Sequence, residues 1–153
     1  MPPAVRPPLA VLFACSRNAV RSPMAAALFG QIFGRAVYVV SAGVRKGEPD
    51  GFATAAMAEI GLDISRHKPI TLEELEEWEG LNFDLIVTLA PEAHHRALEL
   101  TRTSGVDVEY WPTPDPTAVE GSREQRLNAY REVRDQLLAR IRERFVTRGT
   151  GNE

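Results

Sequence analysis

The stretch LAVLFAC (residues 9–15) passes through a polar loop, SRNAVRS (16–22), into PMAAALFGQIFG (23–34). Seven apolar residues in a row fit a short strand buried on both faces, as in parallel sheets. Ser22 is expected to cap the following helix, with Pro23 at its first position and Gly34 at its stop. The same alternation continues: AVYVVSAG (36–43), FDLIVTLA (83–90) and VDVEYW (106–111) read as strands. Helices are expected in FATAAMAEIG (52–61), closed by Gly61, and in TLEELEEWEG (71–80), where Thr71 and Glu74 form a capping-box pattern. Two more are expected, from about Pro91 to Thr101 and from Ser122. In the last, Leu127, Tyr130, Val133, Leu137, Leu138, Ile141 and Phe145 share one face.

Strands alternating with helices predict an α/β fold: a four-stranded parallel sheet with helices on both faces, because each right-handed crossover needs a covering helix. If the long 42–82 connection carries strand 3 to the far side of strand 1, the order is 2-1-3-4. The switch point then falls at the C-terminal end of strand 1, where such sheets place ligands. That is the SRNAVRS loop.

The chain has 153 residues, 44% of them apolar and 25% charged, which fits one domain. That domain is expected over residues 9–147, after a disordered proline-rich arm (1–8) and before a frayed tail (148–153). A net charge of −3 gives no general footprint for nucleic acid or an anionic membrane, and the apolar runs are far below the ~20 residues of a membrane span. A signal peptide or lipoprotein site ending at Cys15 is disfavoured, since the apolar core is minimal and Phe13 is bulky where a small residue is wanted. A cytoplasmic location is expected. Cys15 is the only cysteine, which excludes intramolecular disulfides and cysteine-rich zinc sites. It is inert core, a lipid anchor or chemistry.

Its position favours chemistry. A loop joining a strand to a helix N-terminus presents backbone N–H groups as an anion nest, with the helix dipole behind them. Arg21, six residues after Cys15, can grip two oxygens of a phosphate-sized dianion through its fork. The same positive field favours the thiolate that a nucleophile requires, and Ser22 can donate to it. The alternative is a small buried hydrophobe ending a strand, which leaves Arg21 without a purpose. Neither a Walker loop nor a dinucleotide fingerprint is present. Transfer of a phosphoryl group to a thiolate also needs an acid for the leaving oxygen. Asp115, in WPTPDPT after strand 4, shares the sheet edge with Cys15, and Pro114 and Pro116 restrict its backbone. A plain Asp-Pro turn is the alternative.

VLFACSRNAVRSPMAAALF, SAG at 41–43, GLDISRHKP at 61–69 and DP at 115–116 together resemble the low-molecular-weight protein tyrosine phosphatase family, in its order and spacing over residues 9 to about 146. The resemblance implies a four-stranded parallel three-layer fold and metal-free, cofactor-free hydrolysis of phosphomonoesters. By position Cys15 resembles the nucleophile, Arg21 the phosphate clamp, Ser22 the hydroxyl that stabilises the thiolate and Asp115 the general acid. Ser16, Arg17, Ala19 and Val20 complete the phosphate-binding loop. Asn18 resembles an asparagine with a strained backbone, tied down by residues matching Ser41 and His67; a small strand-end residue and a surface histidine are the alternatives for those two. Adjacent His94 and His95 point about 100° apart on a helix, which disfavours a shared metal site.

Some features depart from the family. Members acting on phosphotyrosine typically have tyrosine after Asp-Pro and an aromatic residue after the SAG segment. Here Thr117 follows Pro116, and VRKGEPD (44–50) is shortened and lacks an aromatic. Stacking on an aryl substrate is therefore expected to be weaker. Relatives that act on phosphoarginine carry threonine where this chain has Ala19. Arg17, with Arg45 and Lys46, suggests an acidic peptide or a small phosphorylated metabolite as substrate. The glutamates of 73–79 and the arginines after Ser122 read mainly as solvated helix faces, with anion steering the alternative for the arginines. Thioredoxin-coupled arsenate reductases share fold and loop but use two further cysteines, which this chain lacks; an external thiol could replace them. A catalytically idle phosphate-binding regulatory module is the third reading.

Overall fold

The computed structural model describes residue 8 and residues 10–147. The expected arm and tail therefore lie almost wholly outside the described residues. Four strands, β1 (Ala10–Cys15), β2 (Tyr38–Gly43), β3 (Leu85–Thr88) and β4 (Asp107–Tyr110), form one parallel sheet in the order β2-β1-β3-β4. Five helices connect and cover them: α1 (Arg21–Phe33), α2 (Gly51–Ala58), α3 (Leu72–Glu79), α4 (Pro91–Leu100) and α5 (Arg123–Arg142).

The central strand explains its own apolar run. Alternate side chains of a strand point to opposite faces, and here both faces are dry. Val11, Phe13 and Cys15 enter a core with α1, α2 and α5, whereas Leu12 and Ala14 enter a second core with α3 and α4. The first core holds an aromatic cluster: Phe13 meets Phe29 and Trp111 edge-on, and Phe29 meets Phe145 at 5.2 Å between ring centres. On α5, Tyr130, Val133, Leu137 and Ile141 are buried as the spacing predicts, and a π-helical turn (Glu143–Thr147) carries Phe145 into the same core.

Element boundaries differ from expectation for local reasons. The helix after the loop starts at Arg21, and Val20, its capping residue, makes no side-chain cap. Ser22 is not the N-cap, because its hydroxyl turns toward Cys15 instead. A 3₁₀ turn at Gly34–Ala36 delays β2 to Tyr38. Asp50 caps α2 by accepting from the N–H groups of Phe52 and Ala53, so that helix starts at Gly51, and it ends three residues before Gly61 (φ 82°). The capping box of Thr71 and Glu74 is present on α3, and a second one joins Ser122 to Gln125 on α5.

Most charged residues on these helix faces are exposed, as expected, but several are also paired across elements. Arg134 is buried and bonds the Ala56 carbonyl and Glu59, Arg131 joins the same Glu59, and Arg144 reaches Glu109 on β4. Glu73 pairs with Arg96 of α4. Among the described residues no helix is long and apolar enough to cross a membrane.

Candidate active site

Parallel pairing brings the ends of β1, β2 and β3 to one edge: Cys15 lies opposite Gly43, and Ala14 opposite Thr88. The loop after Cys15 folds against the segment after Gly43. The carbonyls of Cys15, Ser16 and Arg17 accept from the N–H groups of Val44, Arg45 and Gly47. These bonds turn the carbonyls of the loop toward the 44–47 segment, and the residue that follows them is left-handed, a conformation from which anion nests are built. That residue is Asn18, with φ 54°. A side chain at Gly43 would bring Cβ within 2.8 Å of the Arg45 carbonyl oxygen and the Asn18 nitrogen, so only glycine lets the two segments close.

Asn18 is fully buried and uses every polar atom of its amide. Nδ2 donates to the hydroxyls of Ser22 and Ser41, each at 2.9 Å, and Oδ1 accepts from the Ile70 N–H at 3.0 Å and lies 3.1 Å from His67 Nε2. His67 Nε2 also meets the Asn18 carbonyl oxygen at 2.9 Å. Both oxygens accept, so Nε2 carries the hydrogen. Burial holds the His67 ring below the usual histidine range, against a smaller upward pull from the Asn18 carbonyl, and the ring stays neutral at neutral pH.

At the centre of the loop, Cys15 Sγ lies 2.9 Å from Ser22 Oγ and 3.4 Å from the Ser22 N–H, two donors suited to a thiolate. Arg21, 8% exposed, is braced by Nη1 donating to the Thr113 carbonyl at 3.0 Å and by Nη2 lying 3.5 Å from Ser16 Oγ. Its fork has five donors, which leaves others for an anion. Cys15, Ser16, Arg17, Ala19, Val20, Arg21 and Asp115 all line one cavity of about 600 Å³. The site residues inferred from sequence thus converge, with Asn18, Ser22, Ser41 and His67 bracing the loop from behind.

At the cavity rim, Asp115 Oδ1 accepts from the Thr117 hydroxyl at 2.7 Å and from the Thr117 N–H at 3.0 Å. Burial pushes this carboxyl up, but the two Thr117 donors and the charges of Arg21 and Arg17 outweigh it and hold it below the ordinary carboxylate range.

A model of the family described as low molecular weight phosphotyrosine protein phosphatase matches residues 10–147. The chain belongs to this family. An arsenate reductase of Bacillus subtilis is 32% identical to this phosphatase-family chain over 133 residues, covering 87% of this chain and 92% of the relative. Among solved structures, an arsenate reductase in the phosphate-binding state superposes with TM-score 0.72 at 25% identity, over 91% of this chain and 98% of that one. YwlE, a mutant arginine phosphatase with a phosphorylated active-site serine, superposes with TM-score 0.70 at 27% identity, over 88% and 91%.

Two expectations about the rim need correction. Arg45 forms a two-pronged pair with Glu92, and Lys46 pairs with Glu74, so neither adds an uncommitted cation to the loop as the sequence suggested. The cavity is also not without aromatic lining. Phe52 of α2 and Tyr130 of α5 border it, 5.4 Å apart between ring centres, with the Arg126 guanidinium 4.8 Å over Phe52. Sequence reasoning missed this wall because it looked in the 44–50 loop, whereas the rings come from helices 78 residues apart. Asp50 Oδ2 accepts from the Tyr130 hydroxyl at 2.7 Å and ties the two helices together. His94 and His95 diverge as expected, the first toward Thr88 and the second toward Glu99.

Proposed function

We propose that this phosphatase-family protein hydrolyses phosphomonoesters, with phosphorylated protein or a small phosphomonoester as substrate, through a cysteinyl-phosphate intermediate. The observation that carries this reading is the Cys15 thiol, within 2.9 Å of the Ser22 hydroxyl, on a cavity also lined by Arg21 and Asp115. The Cys15 thiolate attacks phosphorus in line, and its S–P bond forms as the bond to the leaving oxygen breaks. Arg21 and the loop N–H groups hold the equatorial oxygens. Asp115 gives its proton to the leaving oxygen. Water then attacks phosphorus, its proton returns to Asp115, and the S–P electron pair goes back to Cys15. Because Thr117 and the charges of Arg21 and Arg17 hold the Asp115 carboxyl low, the proton is taken up with the substrate, whose negative charge raises the carboxyl's proton affinity.

Phe52 and Tyr130 on the cavity wall favour an aryl phosphate such as phosphotyrosine over an alkyl ester. Ala19 offers the cavity only a methyl group, which weakens the case for phosphoarginine. A reduced nucleophilic thiol with no partner in its chain suits the cytoplasm.

Arsenate reduction is the second reading, favoured by the name of the Bacillus subtilis relative. Converting arsenate to arsenite takes two electrons, supplied when a second thiol attacks Cys15 in a Cys15–arsenate adduct and a disulfide forms. With one cysteine in the chain, that second thiol has to be external.

Hydrolysis of p-nitrophenyl phosphate by wild type, Cys15→Ser and Asp115→Asn, with arsenate-dependent oxidation of an added thiol run alongside, separates these readings. Cys15→Ser is expected to bind phosphate without turnover, and Asp115→Asn to lose about 10²-fold or more in kcat. Turnover by Cys15→Ser would overturn the phosphatase reading, as would arsenate-dependent thiol oxidation by a wild type that hydrolyses nothing. Phosphate binding with neither activity would identify an idle binding module.

A further inference from the structure

Thr117 occupies the position at which the resemblance expects an aromatic wall, yet its side chain faces the carboxyl two residues before it. Its hydroxyl donates to Asp115 Oδ1 at 2.7 Å, and its own N–H donates to the same oxygen at 3.0 Å. Oδ1 is thereby occupied twice, while among the described residues nothing donates to Oδ2. Asp115 caps a single 3₁₀ turn, Pro116–Ala118, and proline on either side limits the backbone. Asp115, Thr117 and Cys15 line the same cavity.

We propose that the Thr117 hydroxyl is the positioning group of the proton-transfer step, holding Asp115 so that Oδ2 alone carries the proton to and from the reacting oxygen. This rests on the phosphatase reading above. In the first half-reaction the Oδ2 proton passes to the leaving oxygen as the P–O bond breaks, leaving a carboxylate with Oδ1 still bonded to both donors. In the second half-reaction the attacking water returns a proton to Oδ2. A carboxyl free to rotate would offer either oxygen and would have to be reoriented at each turnover.

The charged and titratable groups that share this cavity with Asp115 are Cys15 at the end of β1, Arg17 in the phosphate-binding loop, Arg21 on α1, Arg45, Glu48 and Asp50 before α2, Glu92 on α4, and Arg126 and Tyr130 on α5. Tyr130 is bonded to Asp50 and stays protonated. Of these groups, the one that Thr117 bonds is Asp115, so a change at Thr117 acts on the limb that Asp115 sets.

The test compares wild type, Thr117→Val and Thr117→Ser on p-nitrophenyl phosphate, whose leaving group needs little protonation, and on phenyl phosphate, whose leaving group needs more. Thr117 is exposed and valine has the same shape, so thermal melts are expected to coincide. The acid must be protonated to act, and removing a donor from its ionised form raises its proton affinity. The alkaline limb of kcat/KM in Thr117→Val is therefore expected to move up by about half a pH unit or more. Its kcat on phenyl phosphate is expected to fall about tenfold, and on p-nitrophenyl phosphate much less. Thr117→Ser is expected to restore both. An unmoved limb with an unchanged ratio of the two substrates overturns the proposal, as does equal loss in the valine and serine variants. In either case wild-type hydrolysis leaves the phosphatase reading standing. A wild type that hydrolyses neither ester overturns that reading, and this inference with it.

Discussion

Asn18 closes the phosphate-binding loop with a fully buried amide that bonds Ser22, Ser41, Ile70 and His67, on a backbone at φ 54°. Alanine at this position loses all of those partners and keeps the left-handed strain that asparagine tolerates better. Asn18→Ala is expected to destabilise the fold by about 3 kcal/mol and to weaken phosphate binding. Asn18→Gly relieves the backbone but not the orphaned groups, and should fall between alanine and wild type in urea denaturation. A glycine variant no better than alanine would show that backbone strain is not part of the cost. At this scale the sequence was readable where chemistry dictates residue type: a thiol, and a guanidinium six positions on. It was misleading where one side chain had two possible uses. Ser22 before proline fits both an N-cap and a partner of Cys15, and the fold decides between them by giving its hydroxyl to Cys15 and Asn18.

Helix α2 is held at its start by one carboxyl. Asp50 Oδ1 accepts from the N–H groups of Phe52 and Ala53, and Oδ2 accepts from the Tyr130 hydroxyl of α5. Burial, with the bond to Asp50 next, pushes the Tyr130 phenol well above its usual range, so this contact persists through the working pH. Asp50→Ala is expected to lose about 1–2 kcal/mol of stability, from the cap and the tyrosine bond together. It should also raise KM for aryl phosphates more than for phosphate itself, since the Phe52–Tyr130 wall loosens. Urea denaturation and steady-state kinetics check the two effects separately, and equal changes in both affinities would argue against a role for the wall. The elements themselves were legible because buried parallel strands show up as apolar runs and helices as three-and-four spacing. Their exact ends were not, since Asp50, Gly61 and the 3₁₀ turn at Gly34 act through local geometry that periodicity does not encode.

Across the whole molecule, stability is expected to fall with acid in two stages. Burial depresses His67, so the unfolded chain takes up a proton that the folded one refuses, and stability declines as pH drops below about 6.5. Glu59, which joins α2 to α5 through Arg131 and Arg134, is brought down to about 2 by hydrogen bonds from those two arginines. A depressed carboxyl contributes above its unfolded value near 4.5 and stops contributing as pH falls through its folded one. Glu59→Gln should therefore flatten the lower stage and leave the upper one in place, as read from denaturation midpoints at pH 7.5, 5.5 and 3.5. A lower stage as steep as wild type would assign the acid sensitivity to other carboxylates. The strand order was legible at this scale, since alternation and one long crossover suffice for it. The ion pairs across α2, α5 and β4 were not, because partners distant in sequence cannot be matched without the fold.

The placement of β1 between two cores has a temporal consequence. Residues 11–14 have no exposed surface, and amides in such a segment exchange with solvent chiefly when the entire molecule opens. Cys15 hangs from the end of that strand. The clock on which the nucleophile keeps its setting is thus the lifetime of the folded domain itself.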